Sequence, residues 1–183
     1  MTIILKGFEP IFGKVLFLGT CVGKTSMDCG FYYMDKKNKF WELIDEMCLK
    51  NGFFTSKRDE YIKNSQKKDS IKKDIIAKLE NFNIGISDII ESCENTTNSS
   101  DRGIIRESIV YNKELQDLIK KADVIVLNGK TTTYNEFKKA IKKQEIVLGN
   151  KIVIAINSSS GANNGNKEKR KNEWRNISKY LKS

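Results

Sequence analysis

"KVLFLGTCVGKTS", residues 14–26, decides the fold class of this chain. Val15 to Leu18 are consecutive apolar residues closed by Gly19, the pattern of a strand covered on both faces rather than half-exposed. The Gly-Lys-Thr-Ser that follows invites comparison with a phosphate-binding loop. Such a loop needs four residues between its first glycine and the Gly-Lys-Ser/Thr, because its backbone N–H groups must close around a phosphate. Only Thr20, Cys21 and Val22 separate Gly19 from Gly23, so the loop is too short. The partner strand fails too, since "DVIVLNGK" ends in Asn128 where an NTPase carries a metal-binding aspartate. Nucleotide hydrolysis is set aside on this geometry.

Working outward, two further apolar runs obey the same rule: Val124 to Leu127, and Ile152 to Ile156 in "KIVIAINS". Each ends in a small or amide residue followed by a loop, and in open parallel sheets ligands bind at that edge. Helical patterns lie between them. "NKFWELIDEMCLKNG" spaces Phe40, Leu43, Ile44 and Met47 on one face and is expected to stop at Gly52 as a C-cap. Residues 57–82 carry a stripe at Ile71, Ile75, Ile76 and Leu79. "NKELQDLIKKA", "YNEFKKAIKKQ" and "NKEKRKNEWRNISKYL" supply three more helices. The alternation predicts an α/β fold, a three-layer α/β/α sandwich with a short, mostly parallel central sheet, formed by residues 1–183 as one domain. "IVLGNKIVIAI" is expected to turn as a hairpin at Gly149-Asn150, and "SCENTTNSSDRG" to be a polar loop.

Composition narrows the chemistry. Lys and Arg number 33 against 23 Asp and Glu, a net charge of +10 spread along the chain. That balance suits a polyanion such as DNA, although lysine with abundant Asn and Ile also fits an AT-rich coding genome. Histidine is absent, so no catalytic triad, Cys-His pair or histidine metal ligand is available. Cys21, Cys29, Cys48 and Cys93 form no C-x-x-C pair and are expected as free thiols, with no metal and no cofactor. "MTIILKGFEP" is too short an apolar run for a signal peptide, and no segment is long enough to span a bilayer. A soluble, cytoplasmic monomer with no membrane partner is expected.

"GFEPIFGKVLFLGT", "GKTS", "GFYY" and "NKFW", followed in order by "GISDIIESCE", "VIVLNGK", "INSSSGAN" and "KRKNEWRNI", resemble the uracil-DNA glycosylase superfamily. The resemblance is greatest to its hypoxanthine-DNA glycosylase branch, then to the mismatch-specific enzymes, and it covers nearly the whole chain. It implies base-excision repair: flipping a deaminated base, uracil or hypoxanthine, out of DNA and hydrolysing its glycosidic bond, with neither metal nor covalent lysine intermediate. The alternative is a catalytically degenerate DNA-binding relative of the same fold.

Carried over by residue, the resemblance makes Asn38 and Asp88 the catalytic candidates. Asn38 also suits a helix N-cap, and Asp88 a helix N-cap, so both pairs of roles stay open. The base pocket is assigned to Gly19, Thr20, Cys21, Gly23, Tyr33 and Asn128, with Tyr33 stacking on the flipped base, whereas Trp41 is read as core. Lys24, Ser158, Ser159, Ser160, Gly161, Ala162 and Asn163 are assigned to DNA, the serines to phosphates flanking the lesion; a plain Ser/Gly turn is the competing reading there. The chain departs from the family at Cys21, where the mismatch-specific enzymes hold a water-positioning Asn, at Ser87, and in the prolines missing from "INSSSGAN".

Overall fold

The computed structural model describes residues 2–48, 51–97, 101–161 and 167–181, apart from the Arg102 side chain. The opening stretch forms β2 (Val15–Gly19), every residue of it buried. It is flanked in parallel by β3 (Ile84–Asp88) and β6 (Val124–Asn128), and β6 pairs in parallel with β7 (Ile152–Ile156). The spatial order is β3-β2-β6-β7. Alternation along β2 divides the core. Val15 and Phe17 face one layer with Val124, Val126, Ile84 and Ile86, while Leu16 and Leu18 face the other with Ile125 and Leu127. Full burial of each such side chain contributes about 1.5–3 kcal/mol, which is why a strand with no polar face sits at the centre.

Helices α2 (Phe40–Cys48), α3 (Phe53–Lys63), α4 (Lys68–Asn81) and α7 (Lys167–Arg175) cover the first layer. Helices α5 (Leu115–Lys121) and α6 (Thr132–Lys143) cover the second. The three-layer α/β/α sandwich expected from the sequence is therefore present. Trp41 is fully buried and its Nε1 donates to the Tyr32 carbonyl at 3.2 Å. Residues 57–82 divide at Asn64, whose side chain accepts from the Lys67 N–H, so one expected helix becomes parts of two. Gly52 takes the left-handed conformation expected of it, φ 72°, but at the start of α3. That start is set by the buried Asp45 carboxylate, which accepts the Phe54 and Thr55 N–H groups at 2.8 Å each.

A second sheet was not anticipated. β1 (Ile3–Lys6), β4 (Ile90–Asn95) and β5 (Val110–Tyr111) pair antiparallel in the order β1-β4-β5. The "SCENTTNSSDRG" loop therefore begins as strand through Asn95, because β1 supplies the partner. A six-residue helix, α1 (Lys24–Cys29), follows β2. The hairpin expected at Gly149-Asn150 does not form: among the described residues β7 pairs only with β6, and Ile146 and Leu148 pack into the aliphatic layer instead.

Candidate active site

The C-terminal ends of all four parallel strands open on one cleft of about 610 Å³. Gly19, Thr20, Cys21 and Gly23 border it from the loop after β2, Asp88 from the end of β3, and Asn128 from the end of β6. Ser158, Ser160 and Gly161 border it after β7, and Tyr33 and Asn38 from the segment before α2. Residues chosen one by one from the sequence are thus gathered on one surface. A volume of this size suits a single heterocyclic base with part of its sugar.

Gly19 is required by close approach. A Cβ there would lie 2.3 Å from Asp88 Oδ1 and 2.9 Å from the Tyr33 hydroxyl. Tyr33 adopts φ 55°, and its ring stacks on Phe40 at 3.8 Å between centroids and 8° between planes. One face of the ring is covered by the core while the residue lines the cleft. Asn38 Oδ1 accepts the Phe40 N–H at 3.0 Å, so it does cap the first turn of α2. It also lines the cleft, and the two placements coexist.

Asn128 is engaged on every side. Its Oδ1 accepts the Ser159 N–H at 2.8 Å, and its Nδ2 donates to Ser159 Oγ at 2.9 Å and to the Tyr33 hydroxyl at 3.3 Å. It holds the loop after β7 to Tyr33. Ser159 is fully buried by this arrangement, which corrects its assignment to a DNA phosphate: the hydroxyl faces the protein. Lys24 is not in the cleft wall and pairs with Asp28 at 2.5 Å. Ala162 and Asn163 lie outside the described residues. Asp88 ends a strand and caps no helix.

The cleft floor is acidic although the chain is basic. Burial, reinforced by the Asp101 carboxylate, pushes Asp88 up to about 7. Asp101 is itself raised, chiefly by burial and also by Glu136, against the opposing pull of Thr20 and Arg106. The Tyr33 hydroxyl is raised by burial and then by Asp88. Thr20 and Thr133 share a hydrogen bond of 2.9 Å, and Thr133 donates to the Asn128 carbonyl at 3.2 Å, joining the β2 and β6 ends. Asp101, Thr133, Lys130 and Asn95 also border the cleft and were missed from sequence. Asp101 and Asn95 had a signal, their place in a polar segment long enough to be functional. Among the described residues no group of three acidic or thiol side chains could hold a metal ion. An aromatic ring, amides and a carboxyl titrating near neutrality remain, enough to bind a flat heterocycle and to move or hold a proton.

The family model described as the uracil DNA glycosylase superfamily matches residues 6–182. The fold is also that of a protein from Methanosarcina acetivorans, solved in solution by NMR as a candidate uracil DNA glycosylase. The TM-score is 0.67 at 20% identity, over 97% of this chain and 98% of that one. No curated protein matches the chain.

Proposed function

The chain belongs to the uracil DNA glycosylase superfamily, whose members are DNA glycosylases, and from that premise we propose that this single-domain protein excises uracil or hypoxanthine from DNA as a monofunctional, monomeric hydrolase. The observation that carries the reading is the convergence of Tyr33, Asn38 and Asp88 on one cleft at the C-terminal edge of the parallel sheet. The flipped base stacks on Tyr33, whose ring is already fixed by Phe40; a rigid platform lowers the ordering cost of binding. Asn38 Oδ1 has two lone pairs, so it accepts the Phe40 N–H and still holds a water against the sugar carbon. Protonated Asp88 donates to a carbonyl oxygen of the base as negative charge builds there during bond cleavage. Ser158, Ser160 and Gly161 border the cleft and face the DNA backbone, together with Lys130, which also pairs with Glu173; Lys24 lies outside the cleft wall, paired with Asp28.

The test uses labelled duplexes carrying uracil or deoxyinosine, with alkaline cleavage of abasic product. Excision is expected on at least one lesion, with no borohydride-trapped covalent complex. Its rate should fall as pH rises through about 7, because the acid form of Asp88 is the donor. The second reading, a DNA-binding relative without chemistry, is favoured by Cys21, a thiol where the mismatch-specific relatives hold an amide. Salt-sensitive binding with no product on either lesion would establish it and overturn the first.

A further inference from the structure

Cys21 and Cys93 have no part in the proposed reaction, yet their sulfurs lie 3.4 Å apart, behind the point where Cys21 borders the cleft. Their backbones are fixed close together. The Ile89 N–H donates to the Gly19 carbonyl at 2.9 Å and the Ile90 N–H to the Thr20 carbonyl at 3.0 Å, which ties the residues before Cys21 to the start of β4. Cys93 is held on that strand by pairing with Leu5 of β1. A disulfide needs sulfurs about 2.05 Å apart, so closure asks about 1.4 Å of movement shared by two short side chains. Around them lie Leu5, Val22, Ile90 and Ile104, an apolar setting that accepts a neutral disulfide more readily than a thiolate. Cys21 borders the cleft and Cys93 is only 2% exposed.

We propose that Cys21 and Cys93 form an oxidation site, closed to a reversible disulfide by hydrogen peroxide that enters through the cleft. The peroxide transfers one oxygen to the Cys21 sulfur, giving a sulfenic acid and water as the O–O bond breaks. The Cys93 sulfur attacks the sulfenic sulfur and expels the oxygen as a second water, which takes up the remaining thiol proton. The two sulfurs lose two electrons and the peroxide gains them. In the reduced pair the hydrogen bond between the two sulfurs keeps Cys93 below its ordinary value, and once Cys21 is oxidised Cys93 is the thiol already within reach of its sulfur. Cys21 is held as the thiol, first by that hydrogen bond and then by burial, so the first step is slow.

The experiment treats the C29S/C48S double variant, altered only outside the cleft, with millimolar hydrogen peroxide. Expected are an intact-mass loss of about 2 Da reversed by dithiothreitol, a digest fragment joining Cys21 to Cys93, and a Tm rise of roughly 5–10 °C. Replacing Cys21 by Ser should abolish the mass loss. Peptide mapping of the oxidised unsubstituted chain serves as the second measurement if the double variant folds poorly. Unchanged mass, oxygen adducts on Cys21 without a crosslink, or a bridge through Cys29 or Cys48 would each overturn the proposal. None of these readouts depends on glycosylase activity, so failure here leaves the functional reading standing, and the reverse holds.

Discussion

On one side of the parallel sheet Phe17 packs against Phe40 and Trp174, and Phe31, Trp41 and Phe54 continue the layer. On the other side Leu16, Leu18, Ile125 and Leu127 meet Leu115, Leu118 and Ile119. Both layers are densely buried, but they connect differently to the cleft. Phe40 is the stacking partner of Tyr33, and Trp174 Nε1 donates to the Asn157 carbonyl at 2.9 Å, at the root of the loop after β7. Aromatic side chains reach further and present flat faces and ring N–H groups, so that layer can position a site as well as exclude water. The aliphatic layer closes the sheet.

Paired truncations test whether the two layers differ in this way. Phe40→Ala and Leu118→Ala should each destabilise by about 2–5 kcal/mol in urea melts. Single-turnover excision by the folded fraction should collapse for Phe40→Ala, which removes the platform under Tyr33, and persist for Leu118→Ala. Equal loss of rate in both would erase the distinction between the layers.

A second effect separates the cleft end of the sheet from its core. Asp88 has a folded-state value of about 7 against an ordinary carboxylate value of 3.8. The folded protein therefore binds the proton more tightly than the unfolded chain, and stability falls as pH rises between about 4 and 7. Asp88→Asn should raise stability by roughly 2–4 kcal/mol at pH 8 and by little at pH 4, read from melts at the two pH values. A gain independent of pH would show that the carboxylate is not the cause.

Smallest in stability is Asn38→Ala. Losing the contact to the Phe40 N–H should cost about 1 kcal/mol, a few degrees of Tm. The excision rate should nevertheless drop about 100-fold or more, as for other lost polar groups at a reacting centre. A rate that falls no further than the stability would leave Asn38 as a helix cap alone.

Much of the layout is legible in the sequence. The apolar runs at β2, β6 and β7 announce a parallel sheet, and their last residues with the loops after them supply Gly19 to Gly23, Asn128 and Ser158 to Gly161. β3 was not recognised as a strand, although Asp88 at its end was singled out. The antiparallel sheet escaped notice because β1 and β4 are stabilised by each other, a pairing of residues about ninety positions apart such as Leu5 with Cys93. Ser159 was misassigned because its composition suits a phosphate contact as well as it suits a buried bond to Asn128.

What the sequence determined by itself is local: strand and helix periodicity, the shortened glycine loop that excludes a P-loop, and a chemistry without histidine. Relations across the fold come from three-dimensional packing. Asp88 is raised because it is buried and faces Asp101, Tyr33 is held because Phe40 and Asn128 meet it, and Cys21 touches Cys93. Hydrophobic period is written in neighbouring residues, whereas desolvation and electrostatic coupling depend on distance in space, which chain order does not encode.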